Sequence, residues 1–313
     1  MTIQQLEYVV AIDRYGKFSE AAEHCFVTQP TLSMQLKKLE EELDLVIFDR
    51  KTQPVTATPA GKVVLEQARQ ILKQVAQLQD WVQGHKNKLE GELRLGIIPT
   101  LAPYLVPHFL GAFMRNFPNV HLKILEIRTE YMLQAMVKKE IDLGLLVTPI
   151  QLPKSIQSRP LFYEKFMAYL KADVAEKFGH RIKMEDLLNE QLWVLSEGNC
   201  FRSQTINLCA MSQLAFREQQ FTYESGSLEA LMRLVDREGG ATLLPELSVL
   251  ELDESRIENV KFIGKNNPVR EVSVVYHQDF AKLSLLEALS NQVLESLPDQ
   301  IRENTSGDLV VAV

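Results

Sequence analysis

Thiols offer the most distinctive chemistry in this 313-residue chain. The stretch EGNCFRSQTINLC, Glu197 to Cys209, holds two of the three cysteines, nine positions apart. Such a pair can be inert core packing, metal ligation, or two groups that react with each other. The six histidines, His24, His85, His108, His121, His180 and His277, are scattered and give no ligand spacing with the pair, which weighs against a metal site. Burial without reactivity is the commonest state of such residues when nothing else bears on them.

The elements that hold the cysteines decide among these uses. SEGN precedes Cys200 and starts a helix, so Cys200 falls where unsatisfied N–H groups and the positive dipole end favour a thiolate. Arg202 adds to that pull and Glu197 opposes it, and the expectation is a lowered thiol pKa. Nine helical steps place the two α-carbons about 13 Å apart. A disulfide requires roughly 4.4–6.8 Å. Bonding Cys200 to Cys209 therefore requires the helix to unwind, which turns a local oxidation into a change of shape. Cys25, within a pair of short N-terminal helices, reads as core packing.

Composition sets the surroundings. With 46% hydrophobic and 24% charged residues the chain is ordinary globular material, and its length calls for two or three compact units. No run approaches the roughly 18 apolar residues of a membrane span, and MTIQQLEYVV lacks the basic start of a signal peptide. The expected compartment is the cytoplasm, without membrane association, where lasting disulfides are rare and transient ones are usually redox-sensing. A net charge of −7 disfavours general nucleic-acid coating and leaves room for a local DNA-reading face.

Such a face is legible in residues 1–58. Leu6, Val9 and Val10, then Ala21, Ala22 and Phe26, recur at helical spacing on either side of the turn residue Gly16. Thr28 suits an N-cap, and Leu32, Leu36 and Leu39 form the apolar stripe of a further helix. This is the helix-turn-helix plan. Thr28, Gln29, Thr31 and Ser33 lie in the first turn of that helix and suit base edges, while Lys37, Lys38, Arg50 and Lys51 suit phosphates. VIFDRKTQPVTATPAG reads as a small hairpin, the wing. Residues 59–90 read as a long helix opened by Pro59, with Val64, Ala68, Ile71, Val75, Leu78 and Val82 spaced as a coiled-coil seam for dimerisation.

From Glu92 the pattern alternates. ELRLGII, VHLKILEI and DLGLLV read as strands separated by helices, SRPLFYEKFMAYL as a strand pair crossing to another sheet, and the alternation restarts with QLWVL, QQFTYES, ATLLP and REVSVVYH. The reading is two Rossmann-like α/β lobes over residues 91–301: lobe I at about 91–161 and 268–301, lobe II at about 162–267. Ligands are expected between the lobes, at strand ends and helix N-termini. Residues 302–313 form a tail with no interpretable signal.

GKFSEAAEHCFVTQPTLSMQLKKLEEELDLVIFDR, continued by VTATPAG and the long helix, resembles the signature of LysR-type transcriptional regulators, and the resemblance covers essentially the whole chain. It implies a winged helix-turn-helix joined to a two-lobed effector domain like periplasmic binding proteins. GNCFRSQTINLC, GIIPTLAPYLVPH, RTEYML and SLEALMRLVDREGGATLLPE resemble the peroxide-sensing branch of that family. This further resemblance implies a reversible Cys200–Cys209 disulfide formed through a sulfenic acid, with hydrogen peroxide held near Thr100, Thr129, Asn199 and Arg270. It also implies control of oxidative-stress genes as an activator, promoter DNA and RNA polymerase as partners, a homodimer building to a homotetramer, and no cofactor. Three positions depart from the pattern: Asp44 replaces a turn glycine, and Asn199 and Thr222 replace histidines.

Three other functions compete with this reading. A LysR-type regulator can take an organic metabolite in the cleft, with the cysteines incidental. A thiol peroxidase would turn over peroxide with a thiol donor, which the helix-turn-helix weighs against. A transport binding protein shares the two-lobed design and lacks a use for the DNA motif.

Overall fold

The computed structural model describes residues 1–85, 89–211, 226–265, 267–304 and 309–313. The chain divides into two compact units near residue 87.

The first unit opens with α1 (Ile3–Tyr15), whose start is fixed by a capping box between Thr2 and Gln5 and whose end is closed by Gly16 in the left-handed region, φ 66°. Next come α2 (Phe18–His24) and α3 (Gln29–Leu43). The Thr28 side chain accepts from the Thr31 N–H at the start of α3, and Asp44 ends the helix at φ 52° and ψ 43°. Asp in place of a turn glycine is thus accommodated in the left-handed conformation. Leu32, Leu36 and Leu39 are fully buried with Val9, Ile12, Ala21, Ile47 and Phe48 in one apolar cluster. A two-stranded wing, β1 (Phe48–Asp49) against β2 (Thr56–Ala57), leads into α4 (Pro59–His85). Gly61 near the start of α4 lies so close to the Ile47 carbonyl that any Cβ would collide with it.

The second unit begins with β3 (Gly91–Ile97), α5 (Ala102–Asn116), β4 (Val120–Glu126), α6 (Thr129–Val137) and β5 (Leu143–Thr148). The three strands are parallel in the order β4-β3-β5, and β5 is buried at every position, as a central parallel strand with covered faces should be. The sequence suggests a strand pair next; the structure has one continuous strand, β6 (Ile156–Leu170). Pro160 is tolerated inside it because the pairing is irregular there.

The remaining elements are α7 (Ala172–Ala175), β7 (Arg181–Ile182), α8 (Met184–Leu187), β8 (Leu192–Trp193), α9 (Cys200–Met211), α10 (Leu228–Glu238) and β9 (Ala241–Pro245). After them come α11 (Glu246–Val249), α12 (Glu254–Ile257), β10 (Val260–Ile263), β11 (Pro268–His277), α13 (Leu283–Ser296), α14 (Asp299–Arg302) and β12 (Leu309–Val310). The segment QQFTYES, expected as a strand, lies outside the described residues, as does Thr222.

β6 joins the two lobes. Up to Lys165 it pairs antiparallel with β11, itself beside β5; from Phe166 it pairs with β9 and β10. One strand therefore belongs to both sheets, and the residues at its partner change, Glu164 to Phe166, sit between the lobes. The tail is not featureless: β12 adds a parallel strand to the start of β11. Among the described residues no helix is long and apolar enough to cross a membrane.

Candidate redox site and DNA-reading face

Cys200 opens α9 and Cys209 lies near its end, and no disulfide joins either of them. Nine residues are two and a half turns, so the side chains leave opposite faces of the helix. Cys209 is buried in the lobe II core with Phe201, Leu208 and Trp193. Burial there pushes its thiol up to about 11.

Cys200 is half-buried, and its Sγ lies 3.0 Å from the Thr129 Oγ1 at the first position of α6. Burial pushes its thiol above the ordinary value, while the Thr129 hydroxyl and the positive charge of Arg270 pull the other way without overcoming it. The expectation of a lowered pKa is therefore corrected: the helix N-terminus is less important than the loss of water around the sulfur. Arg202 does not supply the expected pull either, because its guanidinium donates to the Leu195 carbonyl at 3.0 Å.

The cation that acts on Cys200 is Arg270, a fully buried residue of β11. Its Nε donates to Glu164 at 2.7 Å, its Nη2 lies 2.6 Å from the same carboxylate, and its Nη1 and Nη2 reach the hydroxyl and carbonyl of Thr100, both at 3.1 Å. The guanidinium also stacks 5.3 Å above the Phe201 ring, beside Cys200 in the chain. Arg270 thus fixes Thr100 while presenting charge toward the sulfur. Glu164 is wholly buried. Burial pushes its carboxyl up, while Arg270 and the Leu247 N–H donated at 3.1 Å draw it back. Sequence reasoning missed Glu164, whose partner lies 106 positions away.

Asn199 is buried, but its amide donates to both oxygens of Ser196, at 3.0 and 3.1 Å. It closes the turn that begins α9, and both of these donor contacts stay within that turn. The structure therefore brings Thr129, Arg270 and, through Arg270, Thr100 to the Cys200 end of α9.

In the first unit, Thr28 and Thr31 share a 2.8 Å hydrogen bond at the start of α3. Gln29, Ser33 and Arg50 line one 660 Å³ concavity with Lys17, Thr52 and Gln53. Lys37 and Lys38 are exposed on α3, with Lys37 beside Glu41 at 3.5 Å, and Arg50 is held by Glu40 at 2.8 Å. Along α4, Ala68 is buried by the chain itself and Val64 packs on the unit's core, so the first part of the expected seam is spent internally. Ile71 and Val75 are half-buried, whereas Leu78 and Val82 are 63% and 40% exposed.

Residues 3–62 match the bacterial regulatory helix-turn-helix protein, lysR family, and residues 86–298 match the LysR substrate binding domain. The chain belongs to the LysR family of regulators. Within it, the chain resembles OxyR: it is 31% identical to the DNA-binding transcriptional dual regulator OxyR of Escherichia coli K12, over 94% of this chain and 95% of that one. A hydrogen peroxide-inducible genes activator of Haemophilus influenzae is 29% identical over 98% and 99% of the two chains. Among solved structures, a full-length cysteine-to-aspartate variant of OxyR from Pseudomonas aeruginosa matches with a TM-score of 0.58 at 31% identity, covering 94% of this chain and 99% of that one. A peroxide-bound cysteine-to-serine variant of Corynebacterium glutamicum OxyR matches at 0.60 and 26% identity, covering 94% and 92%.

Proposed function

We propose that this protein is a cytoplasmic transcriptional regulator that senses hydrogen peroxide through a reversible Cys200–Cys209 disulfide and reads promoter DNA with α3 and the wing. The observation that carries the reading is the Cys200 sulfur 3.0 Å from the Thr129 hydroxyl, beside a buried arginine that holds Thr100. Hydroxyls both donate and accept, as a ligand made of two O–H groups requires.

The sulfur attacks one peroxide oxygen as the O–O bond breaks. Its proton passes through the Thr129 hydroxyl to the departing oxygen, which leaves as water, and Cys200 becomes a sulfenic acid. This relay lets a thiol with a raised pKa react without first losing its proton to solvent. The Cys209 thiol then displaces the sulfenic hydroxyl, forming the S–S bond and a second water. Two thiols and one peroxide give one disulfide and two waters. The cycle stops there until a cellular dithiol reduces the bond, which separates a sensor from an enzyme. Oxidation reshapes α9, alters subunit geometry in a dimer or tetramer, and so changes contact with RNA polymerase.

The test is disulfide mapping by mass spectrometry after a near-stoichiometric peroxide pulse, with Cys200→Ser in parallel. A Cys200–Cys209 linkage in the parent and none in the variant is expected. Persistent thiols in a protein that still binds promoter DNA would leave an organic metabolite as the effector instead.

A further inference from the structure

The C-terminal tail is fastened to the helix that carries both cysteines. Gln204, fully buried, donates from Nε2 to the Val311 carbonyl at 2.7 Å, and Asn207 donates to the Ala312 carbonyl at 3.2 Å. These are the fourth and seventh residues after Cys200, on the stretch between the cysteines. On its other side the tail is held by lobe I. Leu309 and Val310 pair with Pro268 and Val269, the Val311 N–H donates to the Val269 carbonyl at 2.9 Å, and the Val313 N–H to Pro149 at 3.4 Å. Val311 is fully buried in the same apolar cluster as Phe201, Leu208 and Cys209. The tail thus spans β11 and α9, and its contact with Val269 is one residue from Arg270.

We propose that residues 309–313 are a latch that binds only the reduced, helical form of α9. This rests on the disulfide reading above and adds what opposes it. Closing the disulfide draws α-carbons about 13 Å apart in a helix to within roughly 7 Å, so the residues between them leave helical geometry. Gln204 and Asn207 cannot then keep their spacing to Val311 and Ala312, whose positions are set by β11. Cys209 must also leave the cluster that walls in Val311. Tail docking and disulfide formation exclude each other, so each weakens the other by the same factor. The latch holds the switch in the reduced state at low peroxide and speeds its reset by rebinding the refolded helix.

The experiment equilibrates full-length protein in dithiothreitol redox buffers and measures the disulfide fraction by acid quench and thiol alkylation. In this exchange the protein's two thiols become a disulfide as oxidised dithiothreitol becomes the dithiol. Two variants are compared with the parent: deletion of residues 309–313, and Gln204→Met, which retains side-chain volume and loses the donor. Melting temperature is recorded for each in both redox forms. The expected result for the deletion is a tenfold or larger shift toward disulfide, a potential about 30 mV more negative, with a smaller shift of the same sign for Gln204→Met. Loss of melting temperature should be confined to the reduced forms. An unchanged potential with equal loss of melting temperature in both forms would make the tail ordinary packing and overturn the latch. A parent that forms no Cys200–Cys209 disulfide in any buffer overturns the peroxide reading itself, which is a different failure.

Discussion

Cys200 shows how little of a residue's chemistry its place along the chain determines. Its position at a helix start argues for a thiolate, and Arg202 stands two residues away. In the folded protein Arg202 faces a carbonyl, partial burial strips water from the sulfur, and the modifying groups come from Thr129 and Arg270, 71 and 70 positions distant. A thiol loses its proton on ionising, so a raised pKa means less thiolate at a given pH. The alkylation rate of Cys200 by iodoacetamide, followed by peptide mass spectrometry, should rise about tenfold per pH unit through pH 8.5. Thr129→Val removes the bond that favours the thiolate, and at pH 8 it should slow the reaction several-fold and move the whole profile to higher pH. A plateau near neutrality in the parent would contradict the geometry. Thr129 is legible from its place after a strand at a helix start and from its hydroxyl, and Arg270 through family resemblance. Glu164 is not, because a buried carboxylate within a strand has no periodic signal, and only its fixing of Arg270 gives it meaning.

At the scale of elements, spacing located helices well and their packing partners poorly. The leucine stripe of α3 and the cap at Thr28 were readable because each depends on neighbours within a turn. The 3.5-residue rhythm of α4 was equally clear, yet rhythm alone does not say which surface the stripe meets. Val64 and Ala68 are covered by the chain's own packing, whereas Leu78 and Val82 are exposed, and we propose that a second copy covers this later part of the seam. Leu78→Asp with Val82→Asp should therefore convert dimer to monomer in sedimentation experiments while shifting the melting temperature of the DNA-binding unit little. Ala68→Asp should instead lower that temperature sharply, because it buries an unpartnered charge. Equal effects on assembly and melting would reject this division of the helix. β6 was misread as two strands because its two halves serve different sheets. Its local pattern changes where its partners change, and a change of partner leaves no break in the sequence.

The whole molecule must bring a chain of net charge −7 to a polyanion. Residues 1–90 carry 11 Lys and Arg against 12 Asp and Glu, so attraction rests on a few cations around α3 and the wing, and two of these are already partnered by Glu41 and Glu40. A single unit therefore neutralises few phosphates and binds weakly at cellular salt. The proposed pairing through α4 would double the contacts without adding a residue and turn two weak readings into one of higher affinity. This links assembly to ionic strength. In the parent, the slope of log affinity against log salt should be about twice that of the Leu78→Asp, Val82→Asp monomer, because counterion release scales with the phosphates engaged. Filter binding or fluorescence anisotropy across a salt series on one promoter fragment measures both slopes. A common slope would mean that only one unit of the dimer touches DNA. The seam would then serve some other purpose, and a change in α9 would have no paired recognition helices whose spacing it could alter.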